Sequence, residues 1–480
     1  MADNIKNGTK RILAGVVGFD RNGHGGIQLV NRVRNNVSLY GDSLILATRL
    51  DTSYRLGVGG ELNFANNLAG RRMLFVRHRA VSGTRCDQIY KTLVDDVADG
   101  SLLASGAGTV IFDMGTNCIA QSAGAGFTDV NTATQITAAN VVATVLDYVA
   151  KFTDLCISLG MKVIYRNTHG ATNFTAAMIG ALNDLNRKIS NLPLNRELYI
   201  YETRGVLRNP LTTSETALTF KTGMLYDAVT HPGTLGAYSL GKSSGLLEII
   251  KSIIPPLPAA YSDGSNLYSA TNNANDLMSN TAFIGTSGTL GAGGTLGVNA
   301  AGGALAGMPT GWTVSRQSGD TTTTFTVNVK EDADGRFVEI VATYGAAAKG
   351  VRLYQALGGG GVGASLLGKR LRGFATLELA AGHSNVCHLM TDIEFNSTTN
   401  SVNSTSFASG PQGTGAQGGG FPDEAIVFED ATPIFPVPAF DTFGYYTARA
   451  QLMSSGAGSA TFRVRKPRQE IYTDPLALAA

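Results

Sequence analysis

Short apolar runs alternate with longer amphipathic stretches through the first half of the chain. The apolar runs have the length of buried strands, and they are Val37–Tyr40, Met73–Val76, Thr109–Phe112, Lys162–Tyr165 and Glu197–Tyr201. Two amphipathic stretches, 139–159 and 172–189, place apolar side chains at helical spacing, and the second opens on a Thr172-Asn173 capping signal. Strands that alternate with helices predict a parallel sheet covered on both faces, which is an α/β three-layer domain.

The second half of the chain has the shorter period of β-strands. Strand-like runs at 323–329 and 336–341 flank Asp332-Ala333-Asp334-Gly335, which predicts a hairpin. Further strand candidates are 351–357, 371–379, 388–395, 425–428, 445–452 and 460–464. Many short strands separated by turn signals predict an all-β sandwich of jelly-roll type.

Two stretches rich in small and polar residues, 262–311 and 396–420, lack the periodic apolar positions that build a core. The first of them divides the α/β pattern from the β pattern. The predicted organisation is an N-terminal arm at 1–35, an α/β domain at 36–257, a Gly/Ser/Ala-rich linker or set of loops at 258–311, and a β-sandwich at 312–480.

Composition narrows the range of partners. Lys and Arg number 38 against 36 Asp and Glu, a net charge of +2, so neither nucleic acid nor a membrane surface is expected as the main partner. The four cysteines are scattered, without zinc-site spacing, and no disulfide framework is expected. The polar start of the chain does not have the pattern of a signal peptide, so we expect synthesis in a cytoplasm.

A candidate nucleophile follows the first strand of the α/β part. In Gly41-Asp42-Ser43-Leu44, a serine stands beside glycine directly after a buried strand. Open parallel sheets place their sites at this end of the strands, where a tight turn exposes the hydroxyl. Taken alone, Ser43 is equally explained as a helix N-cap.

Three further blocks follow in order along the chain. They are Ala80–Thr84 after the second strand, Met114–Asn117 after the third, and Asp227–Pro232 ahead of a helix-like run. With the Ser43 block they resemble the GDSL/SGNH hydrolase family, in which four short blocks supply Ser, Gly, Asn and His. The resemblance covers about residues 36–255 and implies a flavodoxin-like sheet and serine-esterase activity.

The resemblance also implies a role for each block. Ser43 is the nucleophile, His231 is the general base, and Asp227 orients the histidine ring. The oxyanion hole consists of the backbone N–H groups of Ser43 and Gly83 and the side-chain amide of Asn117. This mechanism uses no metal and no organic cofactor.

Three points stay open in the sequence. Three residues separate Asp227 from His231, where the family usually has two, so either the extra residue bulges out or a Ser-His dyad remains. Gly60 competes with Gly83 for the second block, and Gly83 is preferred because a helix-like segment and the third strand follow it. His169 follows a strand, and a structural role is favoured over a substrate contact.

An esterase joined to a β-sandwich without a signal peptide resembles bacteriophage tail and receptor-binding proteins. The resemblance implies O-deacetylation of a bacterial surface polysaccharide by a virion protein whose sandwich is a carbohydrate-binding or assembly module. Other virion proteins are then partners, and a homotrimer follows by analogy. One alternative is a structural or receptor-binding virion protein with a weak or inactive hydrolase domain. Another is an intracellular lipase or thioesterase with a groove for a longer acyl chain.

Overall fold

The computed structural model describes most of the chain. The described residues are 16–19, 27–31, 33–48, 60–192, 197–210, 217–257, 277–300, 302, 307–357, 366, 368–397, 401–405, 420–437 and 443–472. Part of the predicted arm at 1–35 and much of the stretch at 396–420 lie outside them. Within the described ranges, no helix has the length and apolar character needed to cross a lipid bilayer.

The regular elements are numbered in chain order. The strands are β1 (Val16–Phe19), β2 (Ile27–Asn31), β3 (Val33–Tyr40), β4 (Leu74–His78), β5 (Ala107–Asp113), β6 (Phe127–Thr128), β7 (Gln135–Ile136), β8 (Lys162–Arg166), β9 (Leu198–Tyr201), β10 (Thr289–Leu290), β11 (Gly294–Leu296), β12 (Thr313–Arg316), β13 (Thr324–Asp332), β14 (Gly335–Tyr344), β15 (Gly350–Leu357), β16 (Arg370–Leu379), β17 (Val386–Ser397), β18 (Ser401–Thr405), β19 (Ile426–Ala431), β20 (Phe435–Pro436), β21 (Phe443–Ser454) and β22 (Gly458–Ile471). The helices are α1 (Ser43–Leu46), α2 (Glu61–Leu68), α3 (Cys86–Ala98), α4 (Ser101–Ala104), α5 (Thr116–Gln121), α6 (Val141–Ser158), α7 (Ala176–Ser190), α8 (Arg204–Leu207), α9 (Thr234–Ser243) and α10 (Leu246–Ile253).

The chain forms two compact units. Unit 1 comprises residues 1–46, 72–232 and 239–257, and unit 2 comprises residues 47–71, 233–238 and 258–480. Residues 47–71 and 233–238 fall inside the predicted α/β segment at 36–257, yet they group with the β-rich unit.

Unit 1 contains a five-stranded sheet in the order β4-β3-β5-β8-β9, and all of its strand pairs are parallel. Numbered along the chain, this order is 2-1-3-4-5, which is the flavodoxin-like arrangement. Every residue of β5, the central strand, is buried, as expected for a strand with helices on both faces. The predicted α/β fold is confirmed, and the carboxyl ends of all five strands lie at one edge.

Helix α7 begins later than its sequence signal predicts. Its N-cap is Thr175, whose hydroxyl accepts a hydrogen bond from the backbone N–H of Met178 at 3.4 Å. The hydroxyl of Thr172 instead donates to the carbonyl of Ala228, at 3.1 Å. The predicted cap at Thr172-Asn173 was wrong because a long-range contact, invisible in the local pattern, engages Thr172.

Unit 2 contains a β-sandwich. One sheet has the order β10-β12-β15-β21-β17-β18, and the other has the order β11-β13-β14-β22-β16-β19 with β20 paired to β16. Apolar side chains at alternate positions of both sheets fill a common core, for example Leu353 and Leu452 from the first and Ile340 and Val464 from the second. The predicted β-sandwich is confirmed.

Part of the predicted linker at 258–311 is integral to this sandwich. Strands β10 and β11 extend the two sheets by parallel pairing with β12 and β13. Met278, Phe283 and Met308 are buried in the core, and the carbonyl of Asn280 accepts the indole N–H of Trp312 at 2.7 Å. The sequence predicts a linker or a set of loops here, and the structure differs because a few large apolar residues anchor a stretch composed mainly of small ones.

Candidate active site

The candidate nucleophile lies at the carboxyl edge of the parallel sheet. Strand β3 ends at Tyr40, and Ser43 is the first residue of helix α1. Between them, Gly41 has a φ of 150°, and a Cβ atom at this position would collide with Oδ1 of Asp113. The turn therefore requires glycine, and it carries the partly buried Ser43 beyond the end of the strand.

Ser43, His231 and Asp227 form a continuous chain of hydrogen bonds. Nε2 of His231 lies 2.9 Å from Oγ of Ser43, and Nδ1 lies 2.5 Å from Oδ2 of Asp227. Because the carboxylate can only accept, Nδ1 carries the ring proton of a neutral imidazole. Nε2 is then left to accept the proton of the serine hydroxyl, which is the geometry of a general base next to a nucleophile.

The extra residue between Asp227 and His231 is absorbed by a tight turn. Oδ1 of Asp227 accepts the backbone N–H groups of Val229, Thr230 and His231 at 2.9, 2.9 and 3.0 Å. Ala228 takes up the surplus length with a φ of 56°, in the left-handed region, and its side chain is exposed. Of the two alternatives that the sequence left open, the structure shows the bulge, with Asp227 in contact with the histidine ring.

The same contacts set the charge of the acid. Partial burial raises the pKa of Asp227, but hydrogen bonds from the His231 ring and from the three backbone N–H groups outweigh it. The pKa of this carboxyl therefore lies below its ordinary value, and Asp227 is ionised at neutral pH. An ionised Asp227 is the form that stabilises a protonated His231 during proton transfer.

Two backbone N–H groups near the nucleophile have no acceptor within the described protein. Within the described part of the chain, the N–H groups of Ser43 and Gly83 donate to no protein atom. The loop that carries Gly83 is attached to the nucleophile turn, because Val81 N–H and Thr84 Oγ1 both donate to the carbonyl of Gly41, at 3.0 and 3.1 Å. One carbonyl thus couples the position of the Gly83 loop to that of the Ser43 turn.

The side-chain amide of Asn117 is already occupied. Its Nδ2 atom donates to Oδ2 of Asp42 at 3.0 Å and to the carbonyl of Thr84 at 3.1 Å. These two bonds use both amide protons. Asn117 lies at the same edge of the sheet as Ser43, but a bound oxyanion would have to share one of these protons.

A buried cluster of charges lies beneath the nucleophile turn. Asp42, Asp113 and Arg166 are all buried, and the N–H of Asp42 donates to Oδ1 of Asp113 at 2.9 Å. Burial raises the pKa of both carboxyls, most strongly for Asp113, which also feels the charge of Asp42, while Arg166 lowers both. The pKa of Asp113 is thus the more strongly raised of the two, and the carboxylate of Asp42 accepts from Leu44 N–H and from the Asn117 amide.

His169 is buried, and both of its ring nitrogens lie within hydrogen-bond distance of protein atoms. Its Nε2 contacts the carbonyl of Thr230 at 2.7 Å, and its Nδ1 lies 3.4 Å from Nη2 of Arg166. Burial and the nearby Arg166 charge lower its pKa, so the ring is neutral, with Nε2–H donating to Thr230. The structure thus shows the structural role, in which His169 supports the residue that precedes His231.

The two glycines that competed for the second block belong to different units. Gly60 begins helix α2 in unit 2, whereas Gly83 is in unit 1 together with Ser43, Asn117 and His231. The structure thus places the preferred residue at the nucleophile turn, and its role as an oxyanion donor stays a prediction.

Sequence reasoning missed the residues beneath the site. In the sequence, Asp42 stands out only as a member of the Ser43 block. Asp113 and Arg166 are the last residues of β5 and β8. A charged residue at the end of an otherwise apolar strand was the available signal, because burial of such a group requires partners.

We expect Asp227→Asn to lower kcat/KM by about 10²–10⁴-fold, because an asparagine amide can favour the wrong imidazole tautomer. The measurement is the hydrolysis of 4-nitrophenyl acetate at pH 7. The matched control is Asp184→Asn, which changes a partly exposed acid of helix α7. Retention of activity within about threefold would show that a Ser-His dyad suffices.

Gly41→Ala tests the close approach beneath the nucleophile. The added methyl group would displace Asp113 and the turn, so we expect a lower unfolding midpoint and a loss of kcat/KM of about 10²-fold or more. Gly100→Ala is the control, since Gly100 also has a positive φ, 76°, but has open space around it. The control should lose about 1 kcal/mol of stability and keep its kcat/KM. Equal activity of the two variants would contradict the steric argument.

Similarity to known proteins is confined to structure. No protein-family model and no curated protein matches the sequence. Among solved structures, a GDSL-like lipase from Bacteroides thetaiotaomicron is 15% identical, with a TM-score of 0.31, over 46% of this chain and 89% of its own. An acetyl xylan esterase is 13% identical, with a TM-score of 0.29, over 43% and 96%. The enzymatically active domain of tailspike protein 4 from bacteriophage CBA120 is 12% identical, with a TM-score of 0.21, over 34% and 20%. These likenesses are too distant to assign an activity to this chain.

Proposed function

We propose that this chain is a carboxylic-ester hydrolase that acts through an acyl intermediate on Ser43. One observation carries the proposal: the hydrogen-bonded chain from Ser43 Oγ through His231 to Asp227, with distances of 2.9 and 2.5 Å, at the carboxyl edge of a parallel sheet. A serine hydroxyl is a weak nucleophile unless an adjacent base removes its proton, and this arrangement supplies the base and the group that orients it.

In the first half-reaction, Ser43 Oγ attacks the carbonyl carbon of the ester while His231 Nε2 takes the hydroxyl proton. The negative charge moves to the carbonyl oxygen, and we expect the N–H groups of Ser43 and Gly83 to bind it. When the intermediate collapses, His231 returns the proton to the departing alkoxide and the bond to the alcohol breaks. The ionised Asp227 stabilises the imidazolium between the two transfers.

In the second half-reaction, a water molecule replaces the alcohol. His231 accepts a proton from the water as its oxygen attacks the acyl carbon, and the bond to Ser43 Oγ then breaks with return of the proton to the serine. The products are a carboxylic acid and the regenerated hydroxyl, and the two-step cycle predicts ping-pong kinetics.

We further propose an enzyme type, a substrate and a biological setting for this hydrolase. The enzyme is of the GDSL/SGNH type and removes O-acetyl groups from a bacterial surface polysaccharide as part of a phage virion. The four sequence blocks around Ser43, Gly83, Asn117 and His231 support the type, and the attached β-sandwich supports the setting. The partners are then the acylated polysaccharide and other virion proteins, in a homo-oligomer.

A structural or receptor-binding virion protein with weak hydrolase activity is the second candidate. The observation that favours it is the Asn117 amide, whose protons are engaged by Asp42 and Thr84. Loss of one oxyanion donor costs about 10²–10³-fold in kcat in a serine hydrolase. The two backbone donors and the complete Ser-His-Asp chain favour activity.

Ser43→Ala should lower the turnover of 4-nitrophenyl acetate by at least about 10³-fold, because the variant lacks the hydroxyl on which the proposed acyl intermediate forms. The assay compares acetyl, butyryl and octanoyl esters, and we expect the acetyl ester to have the highest kcat/KM. Ser158→Ala, at an exposed serine of helix α6, is the matched control and should behave as the wild type.

Three outcomes of this assay separate the hypotheses. Full turnover by Ser43→Ala would overturn the assignment of the nucleophile. Absence of Ser43-dependent turnover in the wild type would favour the structural virion protein. Preference for the octanoyl ester would favour a lipase or thioesterase.

A further inference from the structure

A groove borders the carboxyl end of strand β9, on the same edge of the sheet as Ser43. It consists of two adjoining cavities of about 370 and 450 Å³, which share Glu202, Gly205 and Lys221 in their walls. Asn183 and Asn209 add side-chain amides to the first cavity, and Ser239 is among the serines of the second. Cavities of this size accommodate small organic ligands, and amides and hydroxyls are suited to binding sugar hydroxyls.

Cations outnumber carboxylates among the described residues that line the first cavity. The cations are Arg204, Arg208 and Lys221, and the carboxylate is Glu202. Glu202 is engaged by Arg204, with Nε and Nη2 at 2.9 and 3.0 Å from its two oxygens. Arg208 is buried and donates to the carbonyl of His169, so Lys221 is the cation of this wall that can contact a ligand.

Lys221 is held in place with donor capacity to spare. Its ammonium group donates to the carbonyls of Gly205 and Val206 at 2.9 and 2.8 Å, and no described carboxylate pairs with it. Two of its three protons are thus used, and the third remains for a ligand. A fixed cation with an unused donor is suited to binding an anionic group.

Hydrogen bonds connect the groove to the catalytic loop. Arg208, which lines the first cavity, donates from Nε to the carbonyl of His169 at 2.7 Å. Nε2 of His169 contacts the carbonyl of Thr230 at 2.7 Å, and Thr230 immediately precedes His231. Two hydrogen bonds thus join a wall of the groove to the segment that carries His231.

We infer that the groove binds the carboxylate of an acidic sugar residue, so that the ester cleaved at Ser43 is carried by an anionic polysaccharide. This inference rests on the proposed function for its place in the reaction, but binding in the groove can be measured without catalysis. Lys221 binds the carboxylate, while the amides of Asn183 and Asn209 bind sugar hydroxyls.

The test uses the full-length Ser43→Ala protein and isothermal titration calorimetry at low salt. The probe is tri-galacturonate, and its neutral control is the same trisaccharide with all carboxyls methyl-esterified. We expect the acid to bind at least about tenfold more tightly than the ester, since a charged hydrogen bond contributes about 1.5–3 kcal/mol. Lys221→Ala should weaken acid binding by about tenfold or more, whereas Lys221→Arg, which keeps the charge, should retain most of it. Lys188→Ala, on helix α7 outside the groove, should leave binding unchanged.

Several outcomes would overturn the inference. These are equal binding of acid and ester, no binding of either, or unchanged affinity in Lys221→Ala. Binding of glycerol 3-phosphate without binding of tri-galacturonate would assign the groove to phosphate and contradict a carboxylate site. The proposed hydrolase function is tested by a different measurement. It is contradicted if the turnover of 4-nitrophenyl acetate by the wild type does not depend on Ser43.

Discussion

The candidate site depends on the hydrogen bonds that the carboxylate of Asp227 accepts. One oxygen accepts three successive backbone N–H groups and closes the turn, while the other accepts the imidazole proton of His231. The first set of bonds fixes where the histidine backbone lies, and the last bond fixes how its ring is rotated. Because a single side chain does both, a loop with one residue more than the family pattern still places Nε2 at 2.9 Å from Ser43.

A second carboxylate acts in a comparable way on the nucleophile side. Asp42 accepts from Leu44 N–H and Asn117, and its own N–H donates to Asp113. Asp42, Leu44 and Asp113 are buried, so water competes little for the hydrogen bonds between them. Hydrogen bonds within the protein thus join the nucleophile turn to the loop that carries Asn117.

Much of the framework could be predicted from periodicity. Buried strands and amphipathic helices are marked by apolar spacing, and parallel strand order then brings the residues after β3, β4 and β5 to one edge. The partners of Asn117 could not be predicted, because Asp42 and Thr84 lie far from it in sequence and meet it only through the sheet. The left-handed Ala228 was equally hidden, since nothing in its identity favours a φ of 56°. The short strands β10 and β11 escaped notice because two or three residues cannot display a period.

Trapping of the nucleophile tests the central claim most directly. The full-length protein is incubated with a fluorophosphonate at neutral pH, and the labelled peptide is identified by mass spectrometry in the wild type and in Asp227→Asn. A Ser43 nucleophile activated by His231 and Asp227 predicts a single adduct on the peptide that contains Ser43, formed more slowly in the variant. An adduct on another residue, or no adduct on Ser43 while ester turnover continues, would contradict it.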